Sequence, residues 1–231
     1  MRAFLLAAGL GTRLRPLTDH TPKCLLPING QPLLAIWLDL LARHGVDEVL
    51  INTHHLSDQV EGFLSSVQTH LRVRTAFEPK LLGSAGTLRA QQDFVAGEDV
   101  FLVCYADNLT DADLSSLVSA HQSSRPPLTM GLFRAANPSG SGIVDLDADG
   151  LVLGFQEKPE APRSDLANAG IYVASQEIFA LLEDRIPLDV GFDLLPKLVG
   201  RMRGVLLETY LRDIGTPESY ANAQEEWRRD H

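Results

Sequence analysis

Strand-sized apolar runs alternate with helix-sized amphipathic stretches through the first half of this 231-residue chain, and that alternation restricts the fold more than any other feature. Residues 3–8 are continuously apolar and are followed by Gly9, as in a strand buried on both faces. "GQPLLAIWLDLLARHG" sets Leu33, Ile36, Trp37, Leu40 and Leu41 on one helical stripe, with Pro32 suited to the first turn and Gly45 to the end. The same reasoning gives strands at "EVLINT", "LRVRTAF" and "DVFLVCYADN", and helices at "SDQVEGFLSS" and "AGTLRAQQDFV". Alternating strands and helices imply right-handed crossovers and a mainly parallel sheet with helices on both faces. Ligands of such sheets bind beyond the carboxyl ends of the strands, which is where the loop from Gly9 to Lys23 and the residue Asp107 fall.

The second half changes character. "SGIVDLDADGLVLGFQEKP" alternates in period two around "DADG", the pattern of a hairpin. "DADLSSLVSAHQ", "SQEIFALLE" with Ser175 as cap, "FDLLPKLVG" and "PESYANAQEEWRR" read as helices, "PLTMGLF" and "NAGIYVA" as strands, and "GVLLETYLRDIG" as one last extended stretch. With no repeat or linker, the expectation is a single α/β domain over residues 1–231. It is Rossmann-like, with a mixed, mainly parallel sheet, helices on both faces and an inserted antiparallel hairpin portion.

A net charge of -10 excludes a general nucleic-acid binder, which needs a basic surface to displace phosphate counterions. Any phosphate site must therefore be local. In the first 25 residues Arg2, Arg13, Arg15 and Lys23 stand against Asp19 alone. Cys24 and Cys104 lack metal-ligand spacing and are too few for a disulfide scaffold, so they are expected as packing residues in a reducing cytoplasm. Only Arg2 precedes "FLLAAGLG" and "TRLR" interrupts it, so export is rejected; no apolar run approaches the ~18 residues of a membrane helix. A soluble protein without a membrane partner is expected.

The loop itself fits neither common phosphate-binding pattern. Lys23 lies between Pro22 and Cys24, unlike a Walker lysine, and Leu14 stands where a dinucleotide fingerprint needs its third glycine. What the loop offers is backbone N–H groups at Gly9 and Gly11 and fixed positive charge at Arg13 and Lys23, a combination suited to a nucleoside triphosphate.

"LAAGLGTRLRPLTDHTPK" resembles the signature of the sugar-1-phosphate nucleotidyltransferases. "PINGQPLL", "LLGSAGT", "YADN", "EKP", "NAGIY" and "DIGTPESY" follow in the family's order and span almost the whole chain. The resemblance implies a GT-A-like nucleotidyltransferase fold and a reaction in which a sugar 1-phosphate oxygen attacks the α-phosphorus of a nucleoside triphosphate and expels pyrophosphate. It implies that Leu6, Ala8, Gly9, Gly11, Thr12, Gly83, Gly86 and Thr87 line the nucleotide and that Arg13, Lys23 and Lys158 are catalytic. It further implies that Asp107 and Asp213 hold Mg²⁺, and that Gly142, Glu157 and Asn168 meet the sugar.

"LLGSAGT" looks like the guanylyl members, which favours GTP with a mannose- or heptose-like sugar 1-phosphate and a role in cell-envelope polysaccharide supply. Uridylyl, thymidylyl and cytidylyl transfer remain open, as does the choice between monomer and homodimer. Two other classes compete: a glycosyltransferase, which would need a D-x-D where this chain has Asp107 and Asn108, and a non-catalytic nucleotide-sugar-binding subunit. The chain departs from many relatives in having Ala8 and Ala106 for glycines, and an acetyltransferase or effector-binding extension is not expected. "DLDADG" is read as a hairpin turn rather than a metal loop, and the adjacent His54 and His55 are not read as a metal pair.

Overall fold

The computed structural model describes residues 1–230. β1 (Arg2–Leu6) leads into a long loop that runs through 3-10 turns at Thr12–Leu14, Leu17–Asp19 and Lys23–Leu25. β2 (Pro27–Ile28) and β3 (Gln31–Pro32) form a short hairpin whose Asn29-Gly30 turn has positive φ at both residues, as a type I′ turn requires. Then come α1 (Leu33–Arg43), β4 (Glu48–Thr53), α2 (Ser57–Ser66), β5 (Arg72–Phe77), α3 (Ser84–Ala90), β6 (Phe101–Tyr105), β7 (Asn108–Thr110) and α4 (Leu114–Ser124). The rest comprises β8 (Leu128–Arg134), β9 (Gly142–Leu146), β10 (Val152–Glu157), β11 (Leu166–Ala174), α5 (Leu195–Leu198), β12 (Arg203–Leu206), β13 (Leu211–Asp213) and α6 (Pro217–Asp230).

The chain divides into two compact units. The first comprises residues 2–81, 105–112 and Thr209 onward. Here β1, β4 and β5 run parallel in register, Arg2 beside Glu48 and Glu48 beside Arg72. Every residue of β4 is buried, including Glu48 at its start, whose carboxylate takes Arg2 Nε at 3.2 Å and Arg74 Nε at 2.5 Å; a charge so enclosed needs such partners. α1 buries more than the expected stripe, because Leu34 and Leu38 are covered as well. Trp37 is buried with its indole N–H donating to the Asn108 carbonyl at 2.7 Å, which satisfies its polar edge and ties α1 to β7.

The second unit, mainly residues 82–104 and 113–208, is organised around β11. β11 pairs antiparallel with β6, β8 and β9, and β12 lies parallel to β8. β9 and β10 form the expected hairpin, with Asp147 Oδ1 accepting from the N–H groups of Asp149 and Leu151 in its turn. Parallel β1, β4 and β5 in the first unit, and chiefly antiparallel strands around β11 in the second, are the mixed pairing anticipated for the α/β class.

Two local expectations are corrected. "GVLLETYLRDIG" is not one extended stretch: it breaks at 207–210 into β12, which pairs with β8, and β13, which pairs with β7. "SQEIFALLE" winds as a 3-10 segment over Gln176–Leu181 and not as an α-helix, with Ser175 Oγ accepting from Glu177 N–H as the expected cap, whereas "FDLLPKLVG" is the short helix expected, entering α5 through a π-turn capped by Asp189. A 3-10 winding is common in so short a segment.

Candidate functional site

The loop after β1 owes its shape to a few local contacts. Gly11 adopts φ +62°, a left-handed conformation, and a Cβ there would come within 2.8 Å of Thr18 Cγ2. The buried Thr18 donates its hydroxyl to the Gly11 carbonyl at 2.8 Å, closing the turn that carries Arg13. The residues around the start of α2 brace the far side: His55 Nε2 donates to the Thr18 carbonyl at 3.0 Å and Gln59 Nε2 to the His20 carbonyl at 2.9 Å. His54 turns elsewhere, to the Glu78 carbonyl. Space over Gly9 stays open.

Lys23 ends this loop with only 8% of its surface exposed. Its ammonium donates to Asp107 Oδ2 at 2.8 Å and to Asp213 Oδ1 at 3.0 Å. The two acids, 106 positions apart in sequence, meet because β7 and β13 pair antiparallel with Asp213 opposite Asn108, and because Ile214 N–H donates to the Asp107 carbonyl at 3.1 Å. α6 secures the ladder from outside. Glu226 accepts from Arg212 through both carboxylate oxygens, at 2.6 and 2.7 Å, and from Tyr210 OH at 2.9 Å; burial and the Glu226 contact push the Tyr210 phenol up to about 12. Arg13 Nη2 approaches Asp213 Oδ2 at 3.8 Å. A Cβ on Gly215 would lie 2.7 Å from Arg13 Nη2 and 2.8 Å from Asp213 Oδ1, so glycine leaves room for the guanidinium and carboxylate to meet.

In the second unit a different group of side chains gathers at the end of β10. Glu157 Oε2 lies where Cβ atoms on Gly142 and Gly191 would approach to 2.7 Å, so both glycines make room for this carboxylate. Burial raises the Glu157 pKa, Lys158 lowers it and Asp189 raises it further. Lys158 has φ +48°, an unusual backbone state for lysine, and extends an exposed ammonium 3.9 Å from Glu157 Oε1. Asp189 accepts from Ser84 Oγ at 2.9 Å, linking the start of α3 to the loop after residue 188. Asn168 is engaged within β11: its Nδ2 donates to Tyr172 OH, and its Oδ1 accepts from Gly170 N–H.

With this geometry in view, the sequence profile of the family described as "Nucleotidyl transferase" matches residues 2–230. The chain belongs to that family. It is 34% identical to the UTP--glucose-1-phosphate uridylyltransferase of Synechocystis sp. over 98% of its own length and 59% of the relative's. It is also 34% identical to the mannose-1-phosphate guanylyltransferase of Mycobacterium tuberculosis, over 94% of its length and 62% of that protein. The chain thus spans about three fifths of the length of these curated relatives. Its fold superposes on UDP-glucose pyrophosphorylase complexed with UDP-glucose with a TM-score of 0.86, at 20% identity, covering 100% of this chain and 99% of that one.

Within the nucleotidyl transferase fold, Arg13, Lys23, Asp107 and Asp213 converge in one unit, and Gly142, Glu157 and Lys158 in the other. Gly83 has a use the sequence does not reveal: a Cβ there would lie 2.2 Å from the Leu188 carbonyl oxygen, which itself accepts from the N–H groups of Ala85 and Gly86. The close approach at Gly83 is thus made by the chain's own backbone. Thr87 is buried with its hydroxyl donating to the Gly83 carbonyl, and neither it nor Ser84 caps α3. Leu6 and Ala8 precede the loop, and Thr12 opens its first 3-10 turn with an exposed side chain. Sequence reasoning overlooked His55, Gln59, Asp189 and Gly215. The first three act through contacts with distant segments, and Gly215 carried a signal only as part of "DIGTPESY".

Proposed function

We propose that this chain transfers a nucleotidyl group from a nucleoside triphosphate to a sugar 1-phosphate, releasing pyrophosphate. The observation that carries the reading is the convergence of Lys23 and Arg13 on two carboxylates at the end of a glycine-bearing loop. Transfer at phosphorus needs little covalent help and depends on positioning and on neutralising the charge spread over the phosphate oxygens. Arg13 and Lys23 supply that charge from one loop, whose shape Thr18, His55 and Gln59 maintain. Lys158 is assigned to the sugar phosphate, and Glu157 and Asn168 to the sugar hydroxyls.

Asp107 and Asp213 fit a hard divalent cation. They are half-exposed carboxylates already sharing one positive group, and magnesium takes one or two carboxylates and fills its remaining positions with water and phosphate oxygens. When bound, Mg²⁺ would withdraw charge from the reacting phosphate and help to align it. A reaction consuming nucleoside triphosphates fits the cytoplasm, and the described residues contain no helix long and apolar enough to cross a membrane. Relatives named for uridylyl and guanylyl transfer match this chain alike, so the base is left for assay, GTP with a mannose- or heptose-like sugar 1-phosphate being the first pair to try.

The test is pyrophosphate release with Mg²⁺ across four triphosphates and a panel of sugar 1-phosphates. Turnover is expected with at least one pair and should fall by about 10²–10³ in Asp107→Asn and in Lys158→Ala, the cost of losing one charge-stabilising group. Turnover indifferent to both substitutions refutes the assignment.

A further inference from the structure

This inference rests on the nucleotidyl-transfer reading and concerns how Lys23 and the two acids share one site. Lys23 reaches them from a buried stem and spends two of its three N–H donors on them, at 2.8 and 3.0 Å. Arg13 adds a second positive group to Asp213 at 3.8 Å. Lys23 thus bridges the carboxylates of Asp107 and Asp213, and Arg13 adds to the neutralisation of Asp213. A divalent cation ligated by the same carboxylates would face the Lys23 ammonium at short range, where like charges repel strongly. A lysine on a four-carbon stem can turn away, but a buried stem limits where its ammonium finds a new partner; the nearest suitable one is an anion entering the loop.

We propose that Lys23 is the resident counter-ion of the Asp107–Asp213 pair, and that a divalent cation gains those carboxylates in exchange for the lysine ammonium, which passes to the triphosphate. Lys23 then has two successive tasks: it keeps the acids paired in the free protein and grips phosphate in the loaded one. Cation and triphosphate bind cooperatively as a result, each making room for the other, and such coupling is reciprocal.

Mn²⁺ titration of the full chain, followed by the electron paramagnetic resonance of free Mn²⁺ without nucleotide, tests the exchange. Lys23→Met should bind Mn²⁺ at least about fivefold more tightly than the unsubstituted chain, the lower end of ordinary coupling between sites. Lys23→Arg, which keeps the charge, should not, and Asp107→Asn should abolish binding in either background. Equal or weaker Mn²⁺ affinity in a Lys23→Met protein with native circular dichroism overturns the proposal. The unsubstituted chain provides a reading that does not depend on a variant folding: the ¹⁵N resonance of the Lys23 ammonium should move as Mg²⁺ is added, and a resonance that stays fixed while Mg²⁺ binds is equally fatal. Pyrophosphate release by the unsubstituted chain reports separately on nucleotidyl transfer, so that reading can stand while the exchange fails.

Discussion

Asp213 stands opposite Asn108 across the β7–β13 ladder, one residue beyond Asp107. That register places two carboxylates from remote parts of the chain on one lysine, and Gly215 leaves the space in which Arg13 joins them. A one-residue slip in so short a ladder would turn Asp213 to the other face. The Arg212–Glu226 pair and the Ser219 hydroxyl, which donates to the Asp213 carbonyl, oppose such a slip.

Gly215→Ala is expected to damage activity far more than stability. The atoms its Cβ would meet are the ends of the Arg13 and Asp213 side chains, both more than half exposed, which can move aside without disturbing the core. Displacing them by about 1 Å should lower kcat/KM by about 10²-fold. Thermal unfolding and steady-state kinetics on the same preparation check this; a variant with unchanged kcat/KM would show that the clearance is irrelevant.

His55→Phe removes the donor to the Thr18 carbonyl and loosens the turn that presents Arg13. A hydrogen bond of this kind contributes about 0.5–1.5 kcal/mol. A rise of about twofold to tenfold in the KM for triphosphate is therefore expected, with a smaller change in kcat. His55→Gln, which can restore an N–H donor, should recover part of it. Equal effects on both kinetic parameters, with no recovery, would contradict a positioning role.

Glu157 has its pKa raised, chiefly by burial. Between the ordinary glutamate value and the raised one the folded chain keeps a proton that the unfolded chain has released, so stability falls as pH rises through that window. Above it the carboxylate is ionised and still half-buried. Glu157→Gln should raise Tm at pH 7, while raising the KM for sugar 1-phosphate. Calorimetry from pH 4 to 8 alongside the assay would reveal a variant that is less stable at neutral pH, contrary to expectation.

His121 behaves in the opposite sense. It is buried on α4 with Nδ1 2.9 Å from Thr129 Oγ1, and burial lowers its pKa. The unfolded chain takes up a proton near the ordinary value of 6.5 while the folded one does not. The contribution to stability is fully present above that value and is lost as pH falls below it. Tm should decline between pH 7 and 5.5, and the decline should flatten in His121→Gln. An unaltered slope would assign the acid sensitivity to other groups.

Periodicity alone determined the order and kind of most elements: "EVLINT" and "SDQVEGFLSS" coincide with β4 and α2 residue for residue, since buried strands and amphipathic helices are written in local spacing. The position of the glycine-bearing basic loop from Gly9 to Lys23, directly after the first strand, was likewise legible. Tertiary structure decided what local spacing does not encode. β7 and β13, three residues each, are too short to carry a periodic signal, and their pairing brings Asp107 and Asp213 to Lys23. Gly83 was chosen by the approach of the Leu188 backbone, and Gly215 by the meeting of Arg13 with Asp213. In each case the deciding neighbour is distant in sequence, and a contact between distant segments exists only once the chain has folded.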